Sequence, residues 1–450
     1  MPTFQAAYDT LILRKPDGSL APMLATAWEF NGDRTELTLQ LRSDVTFSDG
    51  SKFDAAAAKA NLDHFRTGTG PQGGTLADVK SVEVLSEDSI KIVLSAPSPS
   101  LLIALSNAAG LMGSPKALGT EAIKASPVGS GPYTLNHSET VAGSQYTFVK
   151  RDGYWNPELQ HFDKVVIKVI PDATAAVNAL VSGQLDAALL NTKTAAQARQ
   201  NPDLAEYRYV NNWLGLILYD RSGKILPAMK DVRVRQAINY AIDSKSILKN
   251  IYGDQGKQTA QIFGPNSSAY DETLDERYPY NPQKSRTLLA EAGYSDGFEI
   301  TLPVAASLDP AMIAVVVKQL GEVGIKAKTQ AADPANLIGD LTSAKYAAIP
   351  ITLFQPDTWA TIRTSVSPTA LFNAQKTQDP KVDELMEKIR ISSEDDAKKA
   401  AQELNRYLVD QAWYVPFFRL DQTFFAKKTV KVTPQQEQLV PSIYNYEPAS

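Results

Sequence analysis

The chain contains no cysteine, which excludes disulfides, thiolate metal sites and cysteine nucleophiles. Histidine is almost as scarce. His64, His137 and His161 lie far apart, and none has the HExxH or HxH spacing of a metal site. We therefore expect no resident metal and no cofactor.

Long apolar runs are also missing, because no stretch of about 18 apolar residues could span a bilayer. No charged segment followed by an apolar one opens the chain, so no signal peptide is expected in it, and without cysteine no acylated cysteine anchor is expected either. Basic residues are not in excess: 45 Lys and Arg face 50 Asp and Glu, for a net charge of −5. This balance argues against nucleic-acid binding, which needs a basic surface.

The length of 450 residues and the 43% of hydrophobic residues are enough for two or three domains. In the first part, residues 37–42 alternate as a half-buried strand does, and a helix capped by Asp54 is expected over 54–66. Residues 81–85 and 89–94 alternate around a turn and predict a hairpin. This N-terminal block is typical of an antiparallel α+β arrangement.

From residue 146 the pattern changes. Residues 165–170 form a nearly continuous β-branched run, which predicts a buried strand. Asp172 can cap a helix over 175–182, and 185–190 is the next strand. The order strand, helix, strand predicts a βαβ unit and a parallel sheet.

A second α/β region follows residue 223. The helix that begins at Asp231 has an apolar face, and Arg233, Arg235 and Asp243 are expected to point outward. Residues 381–410 predict one long amphipathic helix. Two α/β regions joined by a linker, with a C-terminal segment that returns to the first, would form a hinge and a ligand-binding cleft.

Several motifs carry a resemblance over nearly the whole chain. They are residues 22–28 (Pro-Met-Leu-Ala-Thr-Ala-Trp), 41–50 (Leu-Arg followed by Phe-Ser-Asp-Gly), 127–133 (Pro-Val-Gly-Ser-Gly-Pro-Tyr), 151–155 (Arg-Asp-Gly-Tyr-Trp), 231–237 (Asp-Val-Arg-Val-Arg-Gln-Ala) and 281–294. In this order they resemble the extracellular solute-binding proteins of family 5, the capture subunits of ABC importers for peptides and nickel chelates. Family members usually carry a signal peptide and a further strand before the segment that begins at Tyr8, so the first lobe is expected to lack an edge strand.

The resemblance implies an α/β, two-lobed periplasmic-binding-protein fold of type II (Venus flytrap) with an extra α+β subdomain in lobe I. The expected bounds are 1–222 plus 425–450 for lobe I, about 28–126 for the extra subdomain, and 223–424 for lobe II, with hinges near 219–223 and 417–424.

The segment 354–359 (Phe-Gln-Pro-Asp-Thr-Trp) resembles the Trp-x-x-Asp stretch of the family, in which the aspartate of peptide-binding members holds the α-amino group of the ligand. Asp357 matches that aspartate, and Phe354 stands where tryptophan is usual. The alternative role of Asp357 is to cap a short helix over 359–363. The other predicted ligand-binding residues are Trp359 and Trp213 as aromatic walls, Arg363 for a ligand carboxylate and Tyr8 through its hydroxyl.

The predicted function is therefore capture of a peptide or peptide-like ligand outside the cytoplasm, in the periplasm or at the cell surface, by a monomer that serves ABC permease subunits. Alternative ligands are a nickel chelate, an oligosaccharide or an opine-like conjugate. The alternatives of another class are a signalling receptor and a hydrolase. Asp49, Asp54 and Glu36 are candidate carboxylates for hydrolysis, but no nucleophile elbow accompanies them.

Overall fold

The computed structural model describes residues 2–68, 73–435 and 438–449. The chain divides into two compact units. They consist of Met1–Tyr209 with Thr423–Ser450 (unit 1) and Val210–Gln422 (unit 2).

The chain thus passes between the units twice, after Tyr209 and after Gln422. The second crossing lies within 417–424, where the sequence predicts a hinge. The first crossing lies about ten residues before the other predicted hinge, 219–223. Residues 219–223 belong to unit 2, where the Asp220 carboxylate accepts hydrogen bonds from the backbone N–H groups of Lys224, Ile225 and Leu226.

The helices and strands that begin in unit 1 before the first crossing are α1 (Pro2–Ala7), β1 (Ile12–Arg14), β2 (Leu20–Pro22), β3 (Ala25–Phe30), β4 (Glu36–Leu41), α2 (Ala55–Thr67), β5 (Val79–Ser86), β6 (Ser89–Leu94), α3 (Leu101–Leu105), α4 (Ala122–Ala125), β7 (Tyr133–Leu135), β8 (Gln145–Lys150), β9 (Lys164–Lys168), α5 (Ala173–Val181), β10 (Ala187–Leu190), α6 (Thr192–Ala198) and β11 (Leu204–Val210).

The predicted antiparallel block is confirmed. Strands β3, β4, β6 and β5 form a four-stranded sheet in that order, and every pairing is antiparallel. Helix α2 begins where expected, because the Asp54 carboxylate accepts from the backbone N–H of Ala57 at 2.8 Å. The sheet and α2 enclose a core that extends from Leu11 to Met112.

The predicted βαβ unit is wrong, although its helix and its cap are confirmed. Asp172 caps α5. However, β9 pairs antiparallel with β8, and β10 pairs antiparallel with β17 (Tyr414–Lys427) in another sheet. The β-branched run is also half exposed instead of buried, with Val166 at 43% exposure. A local pattern predicts strands and a helix, but it does not determine which strand lies beside which.

The family motifs of unit 1 hold one another together. A Cβ atom at Gly129 would lie 2.2 Å from the backbone oxygen of Ala7, and one at Gly131 would lie 2.4 Å from the backbone nitrogen of Tyr8. Glycine is therefore required for the turn to pass against the N-terminal segment. The guanidinium of Arg151 donates to the carbonyls of Gly129 and Gly131, which fixes the turn from the other side.

The remaining elements are β12 (Asn212–Leu218), α7 (Val232–Ala241), α8 (Ser244–Tyr252), β13 (Gly256–Gln258), α9 (Pro282–Glu291), β14 (Phe298–Val304), α10 (Pro310–Glu322), β15 (Ile325–Ala331), α11 (Leu337–Leu341), β16 (Ala348–Phe354), α12 (Thr358–Thr361), α13 (Pro380–Ile391), α14 (Glu394–Asp410), β17 (Tyr414–Lys427), β18 (Val430–Val432) and β19 (Tyr446–Pro448).

Strand β12 is the centre of unit 2. It pairs antiparallel with β16 on one side and with β17 on the other. Because side chains alternate along a strand, its two faces build two cores. Leu214, Leu216 and Leu218 pack with helices α7, α8 and α10, whereas Trp213 and Ile217 pack with α13 and α14.

Two predictions for unit 2 need correction. Arg235 does not point outward: it is buried, and its guanidinium donates to the carbonyl of Gln411 just beyond the end of α14 and to the carbonyls of Met229 and Lys230. Burial lowers its pKa to about 10. The guanidinium thus donates hydrogen bonds to carbonyl groups at a helix end, and the partial negative charge of that end favours a cation.

The predicted helix over 381–410 consists of two helices, α13 and α14. They are separated at Ser392 and Ser393, and α14 opens with Glu394, Asp395 and Asp396 in its first turn. Serine favours helix starts over helix interiors, and acidic residues are stabilised at the start. The two serines and the acidic residues after them therefore indicate the break in the sequence, but the apolar periodicity continues across it and predicts a single helix.

Candidate functional site

The candidate site in unit 2 begins where β16 ends. Asp357 accepts hydrogen bonds through Oδ1 from the backbone N–H groups of Trp359 at 3.0 Å and Ala360 at 3.1 Å, and so caps α12. The capping role that the sequence left open is therefore present. A role in ligand binding stays a prediction.

The chain then widens into a π-helical turn over Ile362–Val366, in which the N–H of Ser367 donates to the carbonyl of Ile362 at 2.9 Å. Such turns are rare and occur often at functional sites. Arg363 lies in this turn. The hydroxyl of Tyr414 holds the π-helical turn by donating to the carbonyl of Ser365 at 2.7 Å.

Neighbouring side chains fix the start of α12. The hydroxyl of Thr358 lies 2.6 Å from that of Ser267 and 2.8 Å from that of Ser268. Gln355, one residue beyond β16, donates through Nε2 to the carbonyl of Ile262 at 2.8 Å. The Asp357 carboxylate is thus held by its own helix, and a segment about 90 residues earlier in the chain holds the residues on either side of Asp357, which is how a binding group becomes preorganised.

The three aromatic residues of unit 2 that were predicted for the site have different environments. Phe354 is 43% exposed and Trp359 is half-buried against the core that contains α13 and α14. Trp213 is only 1% exposed, and its ring packs edge-on against Tyr414 at a centroid distance of 5.9 Å. The expectation that Trp213 is exposed is therefore wrong. It lies in an apolar strand, and the alternation of that strand points it into the core.

Tyr8 belongs to unit 1. It is half-buried and borders a small concavity together with Gln5, Arg14 and Tyr444. Burial raises the pKa of Tyr8 to about 12, although a hydrogen bond with the backbone of Val128 lowers it in part. The hydroxyl therefore stays protonated at neutral pH and acts as a neutral hydrogen-bonding group.

The carboxylates considered for hydrolysis have structural partners. Asp54 caps α2, Asp49 accepts from the hydroxyls of Ser51 and Ser114, and Glu36 pairs with Lys91. Over residues 2–68, 73–435 and 438–449, no three histidine, aspartate or glutamate side chains come together as a metal site would require. Within these same ranges, no helix combines the length and the apolar character needed to cross a membrane.

Two further polar residues lie near Asp357 and were not predicted from the sequence as site residues: Gln355, two residues before Asp357, and Asn211, whose carbonyl accepts from the Gln355 N–H. Both are almost completely buried, Gln355 at 5% and Asn211 at 2% exposure. Asparagine and glutamine within an apolar stretch are a weak signal, because most such residues are satisfied by the backbone.

The fold defines the class of protein. AgaA, a binding protein from A. tumefaciens R10 solved with agropinic acid, has a TM-score of 0.81 at 24% identity, and the match covers 100% of this chain and 94% of the AgaA chain. NikA from Brucella suis, solved with Fe(III)-EDTA, has a TM-score of 0.84 at 23% identity and covers 99% and 95%. DppA from Helicobacter pylori, solved with the peptide STSA, has a TM-score of 0.80 at 20% identity and covers 99% and 93%. The chain thus has the fold of the periplasmic binding proteins.

The chain belongs to the bacterial extracellular solute-binding proteins of family 5, whose model for the middle region matches residues 19–372. Among curated relatives, the glutathione-binding protein GsiB of Salmonella paratyphi A is 30% identical over 345 residues, covering 72% of this chain and 64% of that protein. The heme-binding protein A of Haemophilus influenzae is 28% identical over 358 residues, again covering 72% and 64%. The chain thus spans less than two thirds of the length of these relatives. The family and fold predicted from the motifs are confirmed.

Proposed function

We propose that the protein captures a peptide or peptide-like solute bearing an ammonium group and delivers it, outside the cytoplasm, to the membrane subunits of an ABC importer. Membership of the extracellular solute-binding family supports the capture role. The observation that carries the ligand assignment is the carboxylate of Asp357, held in place at the start of α12 beside the exposed Phe354. A desolvated ammonium needs such a paired carboxylate.

The proposal includes Trp359, Arg363 and Tyr8 as further contacts of the solute. Trp359 and Phe354 supply apolar area at low entropic cost, and Arg363 supplies a fork of donors for a carboxylate. Binding without chemical turnover is the function that we propose, because GsiB and heme-binding protein A are binding proteins by name.

The test of the ligand assignment is Asp357→Asn. Asparagine retains the oxygen that accepts from Trp359 and Ala360, so the helix cap and the thermal stability of the free protein should change little. The charge is lost, which leaves a bound ammonium unpaired and should weaken binding by about 2–5 kcal/mol, or thirtyfold and more. The measurement is calorimetric titration with glutathione and with the tetrapeptide Ser-Thr-Ser-Ala.

Asp172→Asn is the matched control, because Asp172 also caps a helix with its carboxylate but lies in unit 1, at the start of α5. It should leave both affinities unchanged. If Asp357→Asn binds the amine-bearing probes as tightly as the wild type does, Asp357 is a helix cap alone and the peptide assignment loses its main support.

We further propose that solute binding changes the relative arrangement of the two units, with hinges at the two chain crossings. Two crossings near each other in a binding protein commonly act in this way, because a few residues absorb the change in backbone angles. Small-angle X-ray scattering should show a smaller radius of gyration when a bound probe is present. Superimposable scattering curves with and without a probe that calorimetry shows to be bound would exclude this motion.

A further inference from the structure

Asn211 is the second residue of unit 2 and directly precedes β12. It is 2% exposed, yet neither its Oδ1 nor its Nδ2 has a hydrogen-bond partner among the described residues. A buried amide without partners is unfavourable by the full cost of removing both polar atoms from water. Such groups are rare in native proteins and each needs an explanation.

Gln355 lies directly opposite Asn211. Its backbone N–H donates to the carbonyl of Asn211 at 2.8 Å, one step beyond the paired residues Asn212 and Phe354. Opposite residues of an antiparallel ladder place their side chains on the same face, so these two amides are neighbours. The Oε1 atom of Gln355 is buried and also has no partner in the part of the chain that the structure describes.

Among the described residues, Asn211 is the only buried asparagine of unit 2 with both amide atoms unpartnered, although Asn405 Oδ1 also lacks a partner. Asn373 is 0% exposed: its Nδ2 donates to three carbonyls, and its Oδ1 accepts from the N–H of Thr377 and from Arg221. The contrast makes the pair at the end of β12 unusual. Its position links it to the candidate site, because Gln355 is two residues from Asp357.

The unsatisfied groups define the chemistry of what they would bind. Asn211 offers one donor group and one acceptor, and Gln355 offers a second acceptor. An anion could only accept, and a metal ion could only be ligated, so neither matches a set of mixed polarity. Neutral amide groups along a peptide, which offer both carbonyls and N–H groups, match both kinds of atom.

We propose that Asn211 and Gln355 recognise backbone amide groups of the captured solute, with Asn211 Nδ2 donating to a carbonyl and the two side-chain oxygens accepting from an N–H of a neighbouring amide group. This inference rests on the proposed function and assigns it two specificity-determining residues. It also explains why three buried amide atoms, both of Asn211 and the Oε1 of Gln355, have no partner among the described residues. Binding residues are commonly maintained at the expense of stability.

The test is Asn211→Leu, which keeps a branched side chain and removes both polar atoms. The free variant should melt at a higher temperature than the wild type, because an unsatisfied buried amide is replaced by an apolar group. Its affinity for glutathione and for Ser-Thr-Ser-Ala, measured by calorimetry, should fall at least tenfold.

Asn405→Leu is the matched control. Asn405 is 1% exposed, but its Nδ2 donates to Gln261 Oε1 at 2.6 Å and to the carbonyl of Ala269 at 2.8 Å. This variant should melt at a lower temperature and keep the affinity of the wild type for both probes.

A lower melting temperature for Asn211→Leu would overturn the inference, and so would unchanged affinity. Wild type that binds neither amide probe would overturn it as well. In that case, binding of heme or of nickel–histidine by the same preparation would show that solute capture stands without the amide assignment. Binding of none of the four would contradict the proposed function itself.

Discussion

Replacing Arg419 by methionine is expected to lower the free energy of unfolding by about 3–5 kcal/mol, the usual effect of removing one partner of a buried ion pair. Arg419 is fully buried, and its Nη1 donates to Asp275 Oδ1 at 3.0 Å and Oδ2 at 3.2 Å. Without the arginine, the Asp275 carboxylate would stay buried with only the ammonium of Lys257, 3.8 Å away, as a counter-charge. The measurement is the midpoint of urea unfolding.

The surroundings of Asp275 explain why the pair tolerates burial. The carboxylate also accepts from Tyr270 at 2.7 Å, from Gln261 at 2.8 Å and from Thr259 at 2.8 Å. Burial by itself raises the pKa of Asp275, but the charge of Arg419 and these hydrogen bonds hold it below its ordinary value. The native pair therefore contributes stability at neutral pH that is lost as the pH falls through the folded pKa.

The pH dependence of the stability that Asp275 contributes should reverse in Arg419→Met. With the Arg419 charge gone and only the half-exposed Lys257 at 3.8 Å, burial should raise the folded pKa of Asp275 above its unfolded value, so this variant should regain stability on mild acidification. Arg406→Met is the control, because its ion pair with Asp271 is 2.6 Å long and its side chain is 61% exposed. It should lose at most about 1 kcal/mol, as exposed pairs do. Equal losses in the two variants would contradict this account of the buried pair.

The second large effect is expected for Asp9, a fully buried carboxylate in unit 1. It accepts hydrogen bonds from Tyr154 at 2.8 Å, Trp155 at 2.9 Å and Tyr444 at 2.9 Å, and so ties three separate parts of the chain together. Burial nevertheless raises the pKa of Asp9 from 3.8 to about 6, against the opposing effect of these hydrogen bonds.

Because the folded pKa lies above the unfolded value, Asp9 contributes stability that is fully present below the unfolded pKa and is lost as the pH rises through about 6. The difference corresponds to about 3 kcal/mol, since one pKa unit is worth about 1.4 kcal/mol. Asp9→Asn cannot titrate. We therefore expect the stability of the wild type relative to Asp9→Asn to fall by up to about 3 kcal/mol between about pH 4 and pH 7.

For Asp231→Asn we expect the opposite change of relative stability with pH. Hydrogen bonds from Arg233 hold the pKa of Asp231 below its ordinary value, so the wild type should gain stability relative to this variant as the pH rises. Chemical unfolding at several pH values measures both differences. A wild-type advantage over Asp9→Asn that does not change with pH would show that Asp9 titrates in the same range in the folded and unfolded chains.

Local elements were predictable because their signals are local. Asp54 and Asp172 each cap the helix that the sequence assigns to them, since a capping side chain needs only the N–H groups two or three residues ahead. Pairings were not predictable in the same way. The partner of β10 is β17, more than 230 residues later, and nothing in residues 185–190 specifies it.

The burial of charged residues was the second feature that could not be predicted from the sequence. Arg235 and Arg419 both appear in segments whose apolar pattern is clear, and their partners are 176 and 144 residues distant. The sequence shows the charge but not the carbonyl or carboxylate that receives it. Within the candidate site, the family motif predicted Asp357 and its possible cap, whereas Asn211 became visible only when its lack of partners could be seen.

Calorimetric titration of the wild-type protein with glutathione, Ser-Thr-Ser-Ala, heme and nickel–histidine tests the central claim most directly. We expect saturable binding of one solute per chain for at least one amide-bearing probe, and mass spectrometry should recover that probe unchanged after denaturation. Absence of binding to all four, or recovery of a chemically converted probe, would contradict the account of a protein that captures a solute and releases it intact.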